Sequence, residues 1–160
     1  MRGLAHDGCV AAAGSDGPPP ARRGLHAIDG GAHGDRREPG APRRVVVADD
    51  SDSLRLLLRT MLELEPGFEV AGEAADGVEA IEIVLRVEPD LLLLDLAMPR
   101  ADGLQVLEQL RGRLPGLRIV VYSGYTSPEL ERAARDLGAV DYVPKGRAPD
   151  ELIRALAAVA

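Results

Sequence analysis

The sequence predicts an α/β protein in which helices cover both faces of a parallel sheet, and three observations support this prediction. From Arg44 onward, short apolar runs alternate with segments of helical periodicity. The runs are continuously apolar, as is typical of strands that are buried on both faces. Five strand–helix units of this kind fit within residues 44–160, an ordinary length for one domain. We therefore expect a doubly wound sheet.

The first three units share one pattern, in which an apolar run is followed by a helical stripe that a proline ends. Their strands are predicted at residues 45–48, 68–71 and 91–94. The residues that end the stripes are Pro66, Pro89 and Pro115. The stripes themselves are Leu54, Leu57, Leu58, Met61 and Leu62, then Val78, Ile81, Val84 and Leu85, and then Leu104, Leu107, Leu110 and Leu114.

The last two units combine apolar runs with helix caps. Their strands are predicted at residues 119–122 and 140–143. Ser127, which precedes a proline, predicts the start of the fourth helix, and Gly138 predicts its end. Asp150 is predicted to cap the fifth helix. Right-handed crossovers leave few topologies for five such units, and the flavodoxin-like strand order 2-1-3-4-5 is the leading one.

Residues 1–43 differ in composition from the rest of the chain. They contain nine glycines and five prolines, no aromatic residue and no periodic apolar pattern. Such a segment cannot bury enough apolar surface to offset its chain entropy, so we predict a disordered tail. All the histidines (His6, His26 and His33) and the single cysteine, Cys9, lie in this segment. We expect no metal site there, because metal ligands must be fixed in space.

Composition and charge exclude several classes of protein. A formal net charge of −7 argues against a broad nucleic-acid footprint, and one cysteine excludes an internal disulfide. No apolar run approaches the ~20 residues that a membrane span needs. The first residues lack the apolar stretch of a secretory signal. We therefore expect a cytoplasmic protein that binds neither nucleic acid nor a membrane through this chain.

Ionisable and hydroxyl side chains stand at the carboxyl ends of four predicted strands. Asp49 and Asp50 follow the first strand and Asp95 the third, while Ser123 and Lys145 follow the fourth and fifth. In doubly wound sheets the functional site lies at this edge, beside the point where the strand order reverses. Because the first and third strands are neighbours there, three carboxylates should meet in one crevice. Lys145 is the only lysine among 19 basic residues.

This set of groups suits phosphoryl chemistry with a divalent cation. Clustered carboxylates repel one another, and Mg²⁺, which prefers oxygen ligands, relieves that repulsion. A carboxylate can attack phosphorus to give an aspartyl phosphate, while an ammonium and a hydroxyl stabilise the transferred group. The alternative is structural: Asp49 and Asp50 could cap the first helix, and Lys145 could form an ion pair with Asp95.

Residues 44–157 resemble the receiver domain of two-component response regulators. The resemblance rests on the motifs Asp49-Asp50, Leu94-Asp95-Leu96-Ala97-Met98-Pro99 with Gly103, Tyr122-Ser123-Gly124, and Tyr142-Val143-Pro144-Lys145. Together these motifs are highly specific, whereas any one of them alone is weak. The resemblance implies a receiver domain over residues 44–160 that follows the predicted tail.

The resemblance also implies a role for each matching residue. Asp95 would be the phosphoacceptor. Mg²⁺ would be bound by Asp50 directly, by Asp49 directly or through water, by Asp95 itself and by the backbone carbonyl of Ala97.

Two further residues would act on the phosphoryl group. Ser123 would hydrogen-bond it, and Lys145 would pair with it. Tyr142 would be the switch aromatic that turns inward as Ser123 moves; ordinary half-buried packing is the alternative for this ring. The surface that changes would span residues 127–160.

Two features depart from the usual family pattern. Gly146 follows Lys145 where the family commonly has a proline, while Pro144 precedes the lysine. Ala97 and Tyr125 occupy the positions that tune loss of the phosphoryl group, and neither side chain readily orients an attacking water. We therefore expect slow self-dephosphorylation.

The expected partners follow from the lack of a histidine in residues 44–160. The phosphoryl group must come from a sensor histidine kinase, a histidine phosphotransfer protein or a small phosphodonor. The sequence ends where the fifth helix should end, so we expect output through a downstream protein target, and the same face could pair two copies of the chain. Alternatives are a fragment of a DNA-binding regulator and a module that works unphosphorylated.

Two enzyme-like alternatives fit less well. An aspartate-nucleophile phosphatase would carry a second aspartate where Ala97 stands. A nucleotide-binding domain would have glycines where Asp49 and Asp50 stand. We therefore expect a phosphoacceptor switch rather than an enzyme.

Overall fold

The computed structural model describes residues 40–160. The predicted tail over residues 1–43, with its three histidines and Cys9, lies outside the described residues except for its last four positions. The first strand begins at Arg43, one residue before the predicted boundary. Among residues 40–160, none of the helices combines the length and the hydropathy that a membrane span requires.

Five strands and five helices alternate along the described chain. In chain order they are β1 (Arg43–Ala48), α1 (Asp52–Glu63), β2 (Phe68–Ala74), α2 (Gly77–Val87), β3 (Leu91–Leu94), α3 (Gly103–Leu110), β4 (Arg118–Ser123), α4 (Pro128–Asp136), β5 (Asp141–Pro144) and α5 (Pro149–Val159). The strands form one parallel sheet in the order β2-β1-β3-β4-β5. The predicted fold class and strand order are confirmed.

Residues 45–48 of β1 and all of β3 are buried on both faces of the sheet, which explains their continuous apolar runs. Alternate residues of a strand point to opposite faces, so the sheet separates two apolar layers. One layer places Val45 and Leu91 against Leu58 of α1 and Leu156 of α5. The other layer comprises residues of the sheet with α2, α3 and α4: Val46, Leu92, Val84, Leu107 and Ala134.

Several element boundaries differ from those predicted. α3 ends at Leu110, and Leu114 packs against the core from the turn that follows, which includes Gly112 at φ 72°. Leu57, which the helical stripe assigned to the buried face of α1, is 52% exposed. The buried residues of α1, Leu58 and Leu62, lie one turn apart on one side of the helix, and Leu57 lies to the side of that row.

The cap predicted for α5 is wrong. Ala148 is the residue at the cap position, and it has no side chain that can accept a hydrogen bond there. Asp150 lies inside the first turn, where its carboxylate pairs with Arg154 at 2.6 Å. Pro149 at the first helical position fixes the start of the helix one residue before Asp150.

Candidate functional site

Two aspartates lie side by side at one edge of the sheet because they directly follow adjacent strands. Ala48 of β1 pairs with Leu94 of β3, so the next residues, Asp49 and Asp95, emerge side by side. The Asp95 N–H donates to the Ala48 carbonyl at 2.8 Å, which extends the ladder to the site itself. One carboxylate oxygen from each of Asp49, Asp50 and Asp95 lies within 4.8 Å of the others. The predicted meeting of three carboxylates is therefore observed.

The three carboxylates differ in burial. Asp49 is 1% exposed and Asp95 is 3% exposed, whereas Asp50 faces solvent. Asp49 Oδ1 accepts a hydrogen bond from the Ser51 N–H at 2.9 Å. Asp95 Oδ1 is buried and has no hydrogen-bond partner among residues 40–160. A buried oxygen without a partner is costly, so this atom is the one that a cation or a new bond would stabilise.

Lys145 bridges the two buried carboxylates. Its Nζ lies 2.6 Å from Asp49 Oδ2 and 2.9 Å from Asp95 Oδ2. Burial alone would lower the pKa of Lys145, but hydrogen bonds to the two carboxylates outweigh burial and raise that pKa above its ordinary 10.5. The ion pair with Asp95 was predicted from the sequence. The shorter contact with Asp49 was missed, because only the folded structure shows how far β5 reaches across the sheet.

Ser123 lies at the end of β4 and is completely buried. Its carbonyl accepts a hydrogen bond from the Lys145 N–H at 2.8 Å, so the two residues are fixed side by side. Its hydroxyl oxygen accepts the Tyr125 N–H at 3.2 Å. The structure thus brings Ser123 to the same edge as the carboxylates, as the sequence predicted.

Tyr142 lies on β5 and points into the protein. Its ring is buried rather than half-buried, and its hydroxyl donates a hydrogen bond to the Tyr125 carbonyl. The backbone of Tyr125 therefore contacts both the Ser123 hydroxyl and the Tyr142 hydroxyl. The Tyr125 ring itself is exposed.

The loop that connects β3 to α3 carries Ala97, which is exposed. Gly103 packs so tightly under this loop that a Cβ there would lie 2.5 Å from the Asp95 carbonyl oxygen. Only glycine permits this approach, which explains why Gly103 belongs to the motif. The sequence interpretation missed Asp76 and Gly77, which contact the other side of the loop; an Asp-Gly pair before a helix was the available signal.

The residues of the pocket fit a hard divalent cation. All the side-chain donors are carboxylate oxygens, as Mg²⁺ prefers. Three carboxylates and one ammonium leave a formal charge of −2, which a divalent ion would neutralise. Asp95 Oδ1 accepts no hydrogen bond from residues 40–160, so it is open to a new bond.

Fold and site together define a class of protein: a doubly wound α/β domain with an acidic, lysine-bridged pocket at the point where strand order reverses. Residues 45–157 match the response regulator receiver domain family. The chain belongs to this family, and it is therefore a receiver domain of the two-component response regulator type. The resemblance inferred from the motifs is confirmed.

Individual relatives agree with this assignment. The chain is 41% identical over 104 residues to protein-glutamate methylesterase/protein-glutamine glutaminase 1 of Geobacter sulfurreducens, covering 64% of the chain and 28% of that protein. It is 37% identical over 119 residues to the transcriptional regulatory protein PdtaR of Mycobacterium tuberculosis, covering 74% of the chain and 57% of that protein. The chain thus spans only part of the length of these relatives.

Solved structures show the same fold. The signal receiver domain of NarL from Mycobacterium tuberculosis matches with a TM-score of 0.70 and 32% identity, covering 73% of this chain and 94% of that one. The response regulator domain of Thermotoga maritima CheB matches with a TM-score of 0.69 and 27% identity, covering 74% and 96%.

Proposed function

We propose that this chain is a phosphorylation-controlled switch in which Asp95 accepts a phosphoryl group in a Mg²⁺-dependent reaction. One observation supports this above all: Asp95 Oδ1 is buried beside two further carboxylates, while Asp95 Oδ2 is held by Lys145. A carboxylate oxygen without a hydrogen bond keeps its lone pairs available for attack. The neighbouring ammonium orients the carboxylate and offsets charge on the transferred group.

The proposed step is a transfer between two nucleophiles. Asp95 Oδ1 forms a bond to phosphorus as the phosphorus–nitrogen bond of a donor phosphohistidine breaks, and that electron pair returns to the imidazole nitrogen. The product is an aspartyl phosphate. Lys145, which is protonated at neutral pH because its pKa lies above 10.5, then faces the new negative charge.

Asp49, Asp50 and Asp95 would hold Mg²⁺ with the backbone carbonyl of Ala97. The ion would supply charge neutralisation at the phosphoryl oxygens when bound. Asp50 is the exposed member of the set, so it offers the side from which a hydrated ion can enter.

Ser123 and Tyr142 would carry the switch. A Ser123 hydroxyl that turns to donate to the phosphoryl group alters its contact with the Tyr125 N–H, which lies 3.2 Å away. The Tyr142 hydroxyl bonds to the carbonyl of that same residue, so its position would respond. The populations of two conformations of residues 127–160 would then shift.

The proposed partners follow from the chemistry that this chain lacks. Residues 44–160 contain no histidine, so a sensor histidine kinase or a histidine phosphotransfer protein would supply the phosphoryl group. Output would go to a downstream protein target in the cytoplasm, or to a second copy of the chain, rather than to nucleic acid or a membrane.

Intact mass spectrometry after incubation with acetyl phosphate tests the proposal. With Mg²⁺ the protein should gain one phosphoryl group, and with EDTA it should gain none. Asp95→Asn should remain unmodified, whereas the matched control Asp52→Asn should be modified like the wild type, since Asp52 is exposed on α1. Modification of Asp95→Asn would contradict the proposal. Sustained turnover of phosphate monoesters would show a phosphatase instead.

A further inference from the structure

We propose that the first turn of α2 positions the β3–α3 loop for metal binding, with Asp76 and Gly77 as positioning residues. The loop comprises residues 96–102, and it carries the Ala97 carbonyl. This inference rests on the proposed function, because it concerns the presentation of a carbonyl to Mg²⁺. It adds two residues at the start of α2, a helix that contributes none of the proposed ligands.

The first residue of α3 contacts the first residue of the loop, Leu96. The Gly103 N–H donates to the Leu96 carbonyl at 3.0 Å. A Cβ at Gly103 would lie 2.7 Å from the Leu96 Cα, so the helix start and the loop start are in direct backbone contact. This contact joins the two ends of the loop near Asp95. Residues 99–101, which lie further from Asp95 along the loop, need a second support.

Gly77, the first residue of α2, provides that support. A Cβ there would lie 2.1 Å from the Ala101 carbonyl oxygen and 2.8 Å from its carbonyl carbon. The Gly77 N–H also points to the Pro99 carbonyl, at the long distance of 3.5 Å. The backbone of α2 therefore packs directly against the backbone of the loop, and any side chain at Gly77 would separate them.

Arg100 adds a charged contact at the tip of the loop. Its backbone is left-handed, with φ 66°, a conformation that costs an L-residue roughly 1 kcal/mol or more. Its Nη1 lies 2.9 Å from Asp76 Oδ2, and the Asp76 side chain is only 13% exposed. Asp76 Oδ1 meanwhile accepts the Glu79 N–H at 2.9 Å and caps α2. One carboxylate thus joins the helix start to the strained residue of the loop.

The consequence for the metal follows from coordination geometry. Mg²⁺ requires near-ideal octahedral geometry, whereas Ca²⁺ accepts flexible arrangements of oxygen ligands. A loop that is held at its ends by α3 and at residues 99–101 by α2 can present its carbonyl in one place. A loop released from α2 should therefore lose affinity for Mg²⁺ more than for Ca²⁺.

Isothermal titration of the full chain with Mg²⁺ and with Ca²⁺ tests this inference. Gly77→Ala should weaken Mg²⁺ binding about tenfold, the lower end of what loss of a ligand-supporting group costs. Asp76→Asn keeps the cap but weakens the ion pair, and it should weaken Mg²⁺ binding by about two- to fivefold. In each variant, Ca²⁺ affinity should fall by a smaller factor than Mg²⁺ affinity does.

Glu79→Gln is the matched control, because Glu79 lies in the same turn and its carboxylate bonds only to the Ala75 N–H among the contacts described. It removes one negative charge, as Asp76→Asn does, but leaves the contact with Arg100 intact. Its Mg²⁺ affinity should stay within twofold of the wild type. The midpoint of thermal unfolding in EDTA shows whether each variant is folded. Should Gly77→Ala fail to fold, the Mg²⁺ affinities of the single variants Asp76→Asn and Arg100→Ala decide the matter.

The outcomes separate this inference from the proposed function. A wild type that binds no Mg²⁺ would overturn both. Wild-type binding together with unchanged affinity in Gly77→Ala and Asp76→Asn would overturn the positioning role alone. Equal losses for Mg²⁺ and Ca²⁺, or an equal loss in Glu79→Gln, would also overturn it, because they would indicate an effect of charge rather than of geometry.

Discussion

Two aspartates bracket the strand β3, and they use their carboxylates in opposite ways. Asp90 precedes the strand, and its Oδ2 accepts the Arg44 N–H at 2.7 Å. Its backbone N–H donates to the Arg44 carbonyl at 2.9 Å, and its carbonyl accepts the Arg118 N–H at 2.8 Å. Asp95 follows the strand, and its Oδ1 has no hydrogen bond from residues 40–160.

The difference shows that polar groups at one edge of the sheet stabilise the fold, whereas polar groups at the other edge form the candidate functional site. At the amino edge, Asp90 is part of a hydrogen-bonded connection between neighbouring strands, and such groups stabilise the fold. At the carboxyl edge, the buried charges of Asp49 and Asp95 depend on the single ammonium of Lys145. That edge stays incompletely satisfied, because Asp95 Oδ1 accepts no hydrogen bond from residues 40–160.

Removing Lys145, at the carboxyl edge, should lower the free energy of unfolding more than any other change proposed below. Lys145→Met leaves two buried carboxylates without their counter-ion, and breaking such a pair costs 3–5 kcal/mol when it is fully buried. Because the Lys145 side chain is 22% exposed, we expect a smaller loss, of about 2–3 kcal/mol, in the free energy of unfolding measured without metal. Urea unfolding in EDTA measures it.

Exposed ion pairs provide the control for this change. Arg154→Met removes the pair with Asp150, in which both side chains are largely exposed, and should cost less than about 0.5 kcal/mol. Equal costs for the two variants would contradict the view that Lys145 neutralises a buried cluster.

Removing the Asp90 carboxylate should affect the amino edge alone. Asp90→Ala leaves the Arg44 N–H without its acceptor, so we expect a loss of about 1–2 kcal/mol in the free energy of unfolding. Mg²⁺ affinity, measured by titration calorimetry, should stay within twofold of the wild type. A large loss of Mg²⁺ affinity would show that the two edges are not independent.

The lifetime of the proposed aspartyl phosphate tests the roles expected of Ala97 and Tyr125 at the carboxyl edge. Neither Ala97 nor Tyr125 offers an acid or amide that orients water, so the phosphoryl group should persist for minutes or longer. Ala97→Asn should shorten its lifetime by about tenfold, less than a fully positioned base achieves. The decay of the phosphorylated mass with time measures both values. A wild-type lifetime of a few seconds would contradict the expectation.

The smallest expected effect is a pH dependence at the alkaline end. The folded-state pKa of Lys145 is raised above 10.5, so its stabilising contribution is fully present below about pH 10.5. It is lost as the pH rises through the higher folded-state pKa. The difference in unfolding free energy between the wild type and Lys145→Met should therefore be constant from neutral pH to about pH 10 and narrow above pH 10.5. A difference that widens there would contradict the sign of the shift.

The sequence predicted those features that depend on local pattern. Apolar runs located the strands, because strands buried on both faces must be apolar throughout. The strand-end positions of Asp49, Asp95 and Lys145 then followed from the topology. The cap of α5 was wrong because Asp150 and Pro149 compete for the helix start, and proline fixes it.

Features that depend on long-range contact could not be predicted in the same way. The contact of Lys145 with Asp49, the burial of Tyr142 and the packing of Gly77 on Ala101 each join elements far apart in the chain. A sequence pattern shows which residue types are present, but the distances between them depend on how the sheet twists and how each loop is held.

Chemical mapping of the phosphorylated residue tests the central claim most directly. Borohydride reduces an aspartyl phosphate to homoserine, so peptide mapping after reduction identifies the modified position. The account predicts homoserine at position 95 alone, and only in protein incubated with Mg²⁺ and a phosphodonor. Homoserine at Asp49, Asp50 or Asp90 in place of Asp95 would contradict it.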